Sequence, residues 1–293
     1  MKWIITEEQN GISIHDYLRS VQSFSRRLLK SVKDKEGQIQ VNGINKTVRS
    51  SLITGDVIEI TFPEETIGIG LSPEDLPLSI VYEDEAVLVI DKPAGVATIP
   101  SFKHLNGTIA HAVLGHYRKQ QLPYTVHVVT RLDRDTSGLM LIAKHQYSHS
   151  LLSKEQKAGR VNRNYCAVVE GKLSKAADTI DANIGRKEGS IIERTVIETG
   201  KHAITHYRVK EQSSNYALVS VKLGTGRTHQ IRVHFAHIGH SLAGDDLYGG
   251  STKDINRHAL HCTTLTFNHP FTNEEMHFQS EPPDEFIKLI RNS

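Results

Sequence analysis

The run Arg131-Leu132-Asp133-Arg134-Asp135-Thr136-Ser137-Gly138-Leu139 places an acid where two apolar segments meet. Val126, Val128, Val129 and Leu132 lie on one side, and Gly138-Leu139-Met140-Leu141-Ile142-Ala143 follows. The pattern reads as strand, polar turn, strand. A carboxylate at such a junction can be held rigid beside a pocket. The same pattern also suits a turn aspartate that bonds its own backbone. Residue type alone leaves both readings open for Asp133.

Two further segments carry chemistry. Gly224-Thr225-Gly226-Arg227-Thr228 forms a turn, with Thr228 as the expected cap of a helix that stops near Gly239. Ile231, Phe235 and Ile238 make its core face, and Arg232 sits among these apolar neighbours. A guanidinium there either snorkels outward or pairs with a buried carboxylate, for which Asp133 is the candidate. The third segment, Val161 to Gly171, has Tyr165 opening a strand. That tyrosine is either core or a face on which a nucleobase stacks. His229, His234, His237 and His240 cluster in sequence, but no His-Glu-x-x-His arrangement or local carboxylate completes a ligand set, so no metal is expected.

Those residues need elements to position them, and the remaining sequence indicates which. At 293 residues the chain suits one large or two ordinary domains. The net charge of +2 sets no global field, so any nucleic-acid site must be a local patch. Cys166 and Cys262 lack CxxC spacing, which argues against structural zinc and for a reducing, cytoplasmic setting. The start of the chain shows no signal peptide, and no run of apolar residues is long enough to span a membrane.

Residues 1–63 read as a small unit. A short helix is expected over Ile12 to Leu18 and a second over Arg26 to about Lys33, capped by Ser25. Leu28, Leu29 and Val32 share one side of the second helix; Arg26, Lys30 and Lys33 share another. Arg19, Arg27 and Lys35 add to the cluster, which is either a solvated cationic face or a phosphate-binding one. Strands are expected near Gln38 to Val41 and Val57 to Ile60. Residues 64–77, with Pro73, Pro77, Gly68 and Gly70, read as a linker. Residues 78–293 are strand-rich, with helices expected over Thr108 to Tyr117 and Ser148 to Ala158. The class expected is α+β, with a mixed, mostly antiparallel sheet. No regular strand–helix–strand succession or phosphate-binding glycine loop supports a dinucleotide enzyme.

Taken together, "VYEDEAVLVIDKPAG", "RLDRDTSGL", "YCAVVEG", "GKHAITHYRV", "LGTGRTHQIRVHFAHIGHSLAGDDLYG" and "HALHCTTLTFNHP" resemble the RluA family of pseudouridine synthases over roughly residues 78 to 280. The segment "SRRLLKSVKDKEGQIQVNG…LITGDVIEI" resembles the S-four-type RNA-binding domain. The family resemblance implies isomerisation of uridine in RNA to pseudouridine, without a cofactor, in a monomer. It implies Asp133 as nucleophile, Tyr165 as base-stacking residue and Arg232 as the partner of the nucleophile. Arg131 would displace or hold RNA, and Arg227 would contact its backbone. The chain departs from the family at Thr130, where histidine is frequent, and at Arg163, two before the tyrosine. Ribosomal RNA of the large subunit is the favoured substrate, with transfer RNA a second option. From another class, a non-catalytic RNA-binding or ribosome-assembly factor could use the same fold.

Overall fold

The computed structural model describes residues 1–291 except Lys35, Ile69 and Lys103. Alternating apolar residues build a first, four-stranded sheet from β1 (Lys2–Ile4), β2 (Gln38–Val41), β3 (Ile44–Asn45) and β4 (Val57–Thr61), in the order β1-β4-β2-β3. Against it lie α1 (Ile14–Asp16), which continues as a π-helical turn through Val21, and α2 (Arg26–Asp34). The Ser25 hydroxyl accepts the Leu28 amide at 3.0 Å, as its place before the helix predicts. Leu28, Leu29 and Val32 are buried, while Arg26, Arg27, Lys30 and Lys33 are exposed. Arg19 turns inward and donates to the Phe24 carbonyl, so it does not join the exposed set. Lys35, read with that cluster, lies outside the described residues.

Among the described residues, 62–79 form no helix or strand. The stretch is nonetheless docked. Glu65 accepts from the Thr125 and Gln146 amides at 3.1 and 2.7 Å and meets His127 Nε2 at 2.8 Å. The apolar cluster under the first sheet also takes in Tyr147, Leu151 and Phe271 from later in the chain.

The larger sheet has ten strands. Its main path runs β10 (Ala177–Asp181), β13 (Ile204–Gln212), β14 (Tyr216–Leu223), β9 (Asn162–Glu170), β15 (Leu260–Asn268), β8 (Ser137–Ala143), β6 (Val87–Lys92) and β5 (Ile80–Glu83). To this path β16 (Glu275–Gln279) adds at β15 and β7 (His127–Val128) at β8. A separate hairpin joins β11 (Ile184–Arg186) to β12 (Arg194–Val196). Helices α3 (Ile109–Lys119), α4 (Gln146–Lys157), α5 (Gln230–His237) and α6 (Asp284–Arg291) complete an α+β fold. The sheet is antiparallel except between β8 and β15, where only Ser137 faces His261 and Gly138 faces Cys262. β8 and β15 then part, and a crevice opens beside the loop that precedes β8.

Gly138 sits at that parting with φ of +107°, and a Cβ built there would stand 2.3 Å from the Cys262 carbonyl oxygen. Only glycine combines this backbone with so close an approach. Gly138→Ala should therefore cost about 3 kcal/mol from strain and contact together, lowering the melting temperature by roughly 5–10 °C. Thermal unfolding followed by circular dichroism checks this; an unchanged midpoint would show that the strand can shift.

Candidate active site

The loop from Val129 to Thr136 carries Asp133, and polar bonds pin it on several sides. The Val129 and Thr130 amides both donate to the Leu141 carbonyl, and the buried Thr130 hydroxyl accepts the Leu141 amide at 2.9 Å. Thr130 thus folds the loop back onto β8. The Thr98 hydroxyl donates to the Leu132 carbonyl at 2.7 Å, one residue before Asp133. On the far side, Thr136 meets a buried His258 at 2.8 Å, where burial pulls the imidazole down to about 2 and keeps it neutral.

Lys92 is the least expected part of this scaffold. It is fully buried at the end of β6, and its ammonium donates to the Pro93, Val96 and Arg134 carbonyls at 2.8, 2.7 and 2.8 Å. Burial pulls its pKa down to about 8, against the pull of Asp135 and Asp133. With all three protons accepted it remains a cation at neutral pH and ties the loop to β6.

Arg232 on α5 is 6% exposed and reaches Asp133, with Nη1 3.3 Å from Oδ2. Its main partner, however, is Asp245, which the sequence reading did not single out. Nε and Nη2 each donate to an Asp245 oxygen at 2.7 Å, a bidentate pair with the carboxylate fully buried. Burial opposes the guanidinium's charge, but the bonds and charge of Asp245, with Asp133 behind them, hold its pKa above the ordinary value. The expected pairing with Asp133 exists, therefore, as the weaker arm of a three-member arrangement. Gly244, in a left-handed turn against the Arg257 carbonyl, sets Asp245 in place. The Tyr248 ring lies 5.0 Å from the guanidinium carbon. "LAGDDLYG" held this signal, because an acid beside glycine in an apolar run must find a cation if it is buried.

The start of α5 corrects a second expectation. Thr228 does not cap it; the helix begins at Gln230, after His229 with φ of 57°. Gln230 does the stitching instead. Its side-chain oxygen accepts the Arg227 amide at 2.9 Å and the Thr225 hydroxyl at 2.8 Å, and its nitrogen donates to the Ile204 carbonyl at 2.9 Å. The same nitrogen also donates to the Thr205 hydroxyl at 3.1 Å, so the carboxamide accepts two bonds and donates two, one donor more than a hydroxyl has.

These elements enclose a cleft of about 290 Å³ lined by Arg131, Asp133, Arg163, Tyr165, Arg227, His229 and Arg232, with apolar walls that include Leu132, Ile231 and Leu260. The volume accommodates one nucleobase and part of its ribose. Asp133 is partly exposed to it, with 32% of its side chain accessible, and Arg131 is exposed. Tyr165 lies in β9 between Val221 and Cys262. Burial pushes its phenol well above the ordinary value, so it is protonated at neutral pH. Arg163 stands 6.0 Å from its ring centre. Arg227 donates to the His202 carbonyl at 3.0 Å through Nε, leaving the rest of its guanidinium on the cleft wall. Arg26, Arg27, Lys30 and Lys33 do not line this cleft but sit on α2. The histidines of the segment diverge. His234 bonds Thr205 and the Ala182 carbonyl, His240 bonds the Glu170 carbonyl, and His237 is exposed. Among the described residues, no group of three or more His, Cys, Asp or Glu side chains is arranged to hold a metal.

A family model described as RNA pseudouridylate synthase matches residues 86–237, the stretch from β6 through α5 that carries Asp133, Tyr165 and Arg232. The chain belongs to the RNA pseudouridylate synthases. It is 49% identical to the uncharacterized RNA pseudouridine synthase YjbO of Bacillus subtilis (strain 168), over 91% of this chain and 94% of that protein. The ribosomal large subunit pseudouridine synthase D of Pseudomonas aeruginosa is 38% identical, over 87% of this chain and 84% of that one. The fold is shared with human RNA pseudouridylate synthase domain containing 1, at a TM-score of 0.60 and 23% identity, covering 75% of this chain and 97% of that one. The synthase acts on RNA, and no described helix is long and apolar enough to cross a membrane.

Arg232→Met in this synthase leaves Asp245 buried without its cation, which should cost about 3–5 kcal/mol. Pairing it with Asp245→Leu should restore most of the melting temperature without restoring activity, because the cation beside Asp133 stays absent. Thermal melts and turnover of the two variants check this. Equal stability of single variant and wild type would show that the guanidinium is not holding Asp245.

Proposed function

We propose that this synthase isomerises uridines in large-subunit ribosomal RNA, with Asp133 as the carboxylate that acts at the ribose anomeric carbon. The observation that supports the reading best is geometric. Of the three charged groups Asp133 is the most open to the cleft, with 32% of its side chain accessible, while Arg232, fixed by Asp245, stands at one of its oxygens. A neighbouring fixed cation favours the ionised carboxylate and orients it. The bond from the anomeric carbon to N1 breaks, the uracil turns, and a bond to C5 forms. N1 gains a proton and C5 loses one, so the product is an isomer and no redox partner or energy source enters.

Tyr165 supplies a flat wall for the detached base, and as a protonated phenol it can donate a hydrogen bond but is no base at neutral pH. The target uridine must leave its helix to reach a cleft of this size. Arg131, exposed on the rim two residues before Asp133, suits the gap left behind or the displaced strand, and Arg227 suits a phosphate. The cations of α2 form the outer RNA contact of a unit comprising residues 1–63, which packs against the catalytic unit of residues 78–293 through Tyr147, Leu151 and Phe271, and the work is done in the cytoplasm. The large-subunit assignment draws on the relatives named for that RNA, such as the Pseudomonas aeruginosa protein. The intact set of Asp133, Tyr165 and Arg232 favours an enzyme over a non-catalytic assembly factor.

Asp133→Asn should abolish pseudouridine formation in transcribed large-subunit ribosomal RNA while the melting temperature stays near wild type. Mapping pseudouridines after incubation checks this, and turnover within roughly tenfold of wild type would remove Asp133 from the chemistry. Replacing Arg26, Arg27, Lys30 and Lys33 with alanine should lower the slope of log affinity against log salt by about two or more, at roughly 0.7–0.9 per phosphate contact. Superimposable salt titrations would leave α2 as a solvated face.

A further inference from the structure

We propose that His229 is a positioning residue for Asp133, held by Tyr248 in the form that directs its Nε2–H at the Asp133 carboxylate. The inference rests on Asp133 being the reacting carboxylate. Its basis is a proton inventory. The Tyr248 hydroxyl oxygen accepts the backbone N–H of Arg194, in β12, at 3.0 Å. The hydroxyl's own proton then needs an acceptor, and His229 Nδ1 lies 2.7 Å away. A neutral imidazole with an accepting Nδ1 carries its proton on Nε2. Nε2 stands 3.7 Å from Asp133 Oδ2, the same oxygen that Arg232 approaches.

The ring is neutral at physiological pH. Burial pulls its pKa down, and the charges of Arg232 and Arg194 add to this against the opposing pull of Asp133 and Asp245. The backbone contributes too. His229 is the single left-handed residue at the head of α5, a conformation that non-glycine residues hold only where the surroundings demand it. At 3.7 Å the N–H is not yet bonded to the carboxylate, and such contacts commonly tighten when substrate loads. Arg232 and His229 then grip one oxygen from two directions and leave the other, Oδ1, to the ribose. Tyr248 joins both supports, since its ring stacks under Arg232 and its hydroxyl sets the histidine.

The test uses the full chain, transcribed large-subunit ribosomal RNA and two substitutions. His229→Asn tolerates the left-handed backbone but is too short to reach Asp133; His229→Gln can place an N–H where Nε2 stood. His229→Asn should lower kcat about 10- to 100-fold with KM within about threefold, and His229→Gln should recover most of that loss with an unchanged pH profile. Nitrogen-15 spectra of the histidines should show His229 as the Nε2–H form in wild type and should lose that preference in Tyr248→Phe. An Nδ1–H form, or wild-type kcat in His229→Asn, overturns the proposal. His229→Gln as impaired as His229→Asn, with a displaced pH profile, overturns it in favour of proton transfer by the imidazole. An active Asp133→Asn would instead defeat the assignment of Asp133, while the spectra would still report the state of His229.

Discussion

A guanidinium with almost no access to water cannot stand alone, and the site is organised around meeting that constraint. Arg232 is paired through two short bonds to Asp245, which is itself cut off from solvent. Such a pair adds little net stability over an apolar substitute, yet losing either half leaves an uncompensated charge. Its return is positional. With two of its nitrogens committed to Asp245, the third is fixed in direction, and that direction is Asp133. The left-handed turn at Gly244, the stacking of Tyr248 and the clamp of Gln230 on the turn before α5 all serve to keep this cation where it is.

The opposite wall is held by a second buried cation of different character. Among the described residues Lys92 meets no carboxylate within hydrogen-bonding reach; its three protons go to backbone carbonyls, one of them at Arg134 in the loop of Asp133. Arginine at one wall and lysine at the other are not interchangeable here. The planar fork matches a carboxylate edge, and the compact ammonium matches three converging carbonyls. The loop of Asp133 is consequently fixed on both flanks, and the carboxylate faces the cleft without needing to be drawn into the core.

Much of this was legible before the fold was known. Residue order and apolar patterning placed Asp133 at a strand junction, Tyr165 in a strand and Arg232 in an apolar helix. The periodicity of Leu28, Leu29 and Val32 identified the buried face of α2 correctly. What could not be read, beyond the contact of Arg232 with Asp133, was partnership across distance. Asp245 was not singled out, because the hint in "LAGDDLYG" says nothing of which cation answers a buried acid, and that cation stands 13 residues away. Nothing in the sequence sets Lys92 apart from an ordinary lysine, since its acceptors are carbonyls and carbonyls have no residue type. Thr228 looked like a cap because hydroxyls usually serve that purpose, and the competing carboxamide of Gln230 prevailed only through contacts to Ile204 and Thr205 from another strand. Local chemistry was written in the sequence; the pairing of buried charges required the sheet.

The short parallel contact between β8 and β15 has a bearing on how the molecule comes into being. Its two sides, at Ser137 and His261, are far apart along the chain, and closing so long a loop is entropically slow compared with zipping neighbouring strands. β15 is also the strand that lies between β8 and β9 and so sets the spacing of the Asp133 loop from Tyr165. During synthesis, the first sheet and the β5–β6–β8 meander can form while the C-terminal third is still unmade. The cleft cannot. A growing chain could thus have the exposed cations of α2 in place well before it has any site in which to turn a base, and catalytic competence arrives only when β15 slots into the middle of the sheet.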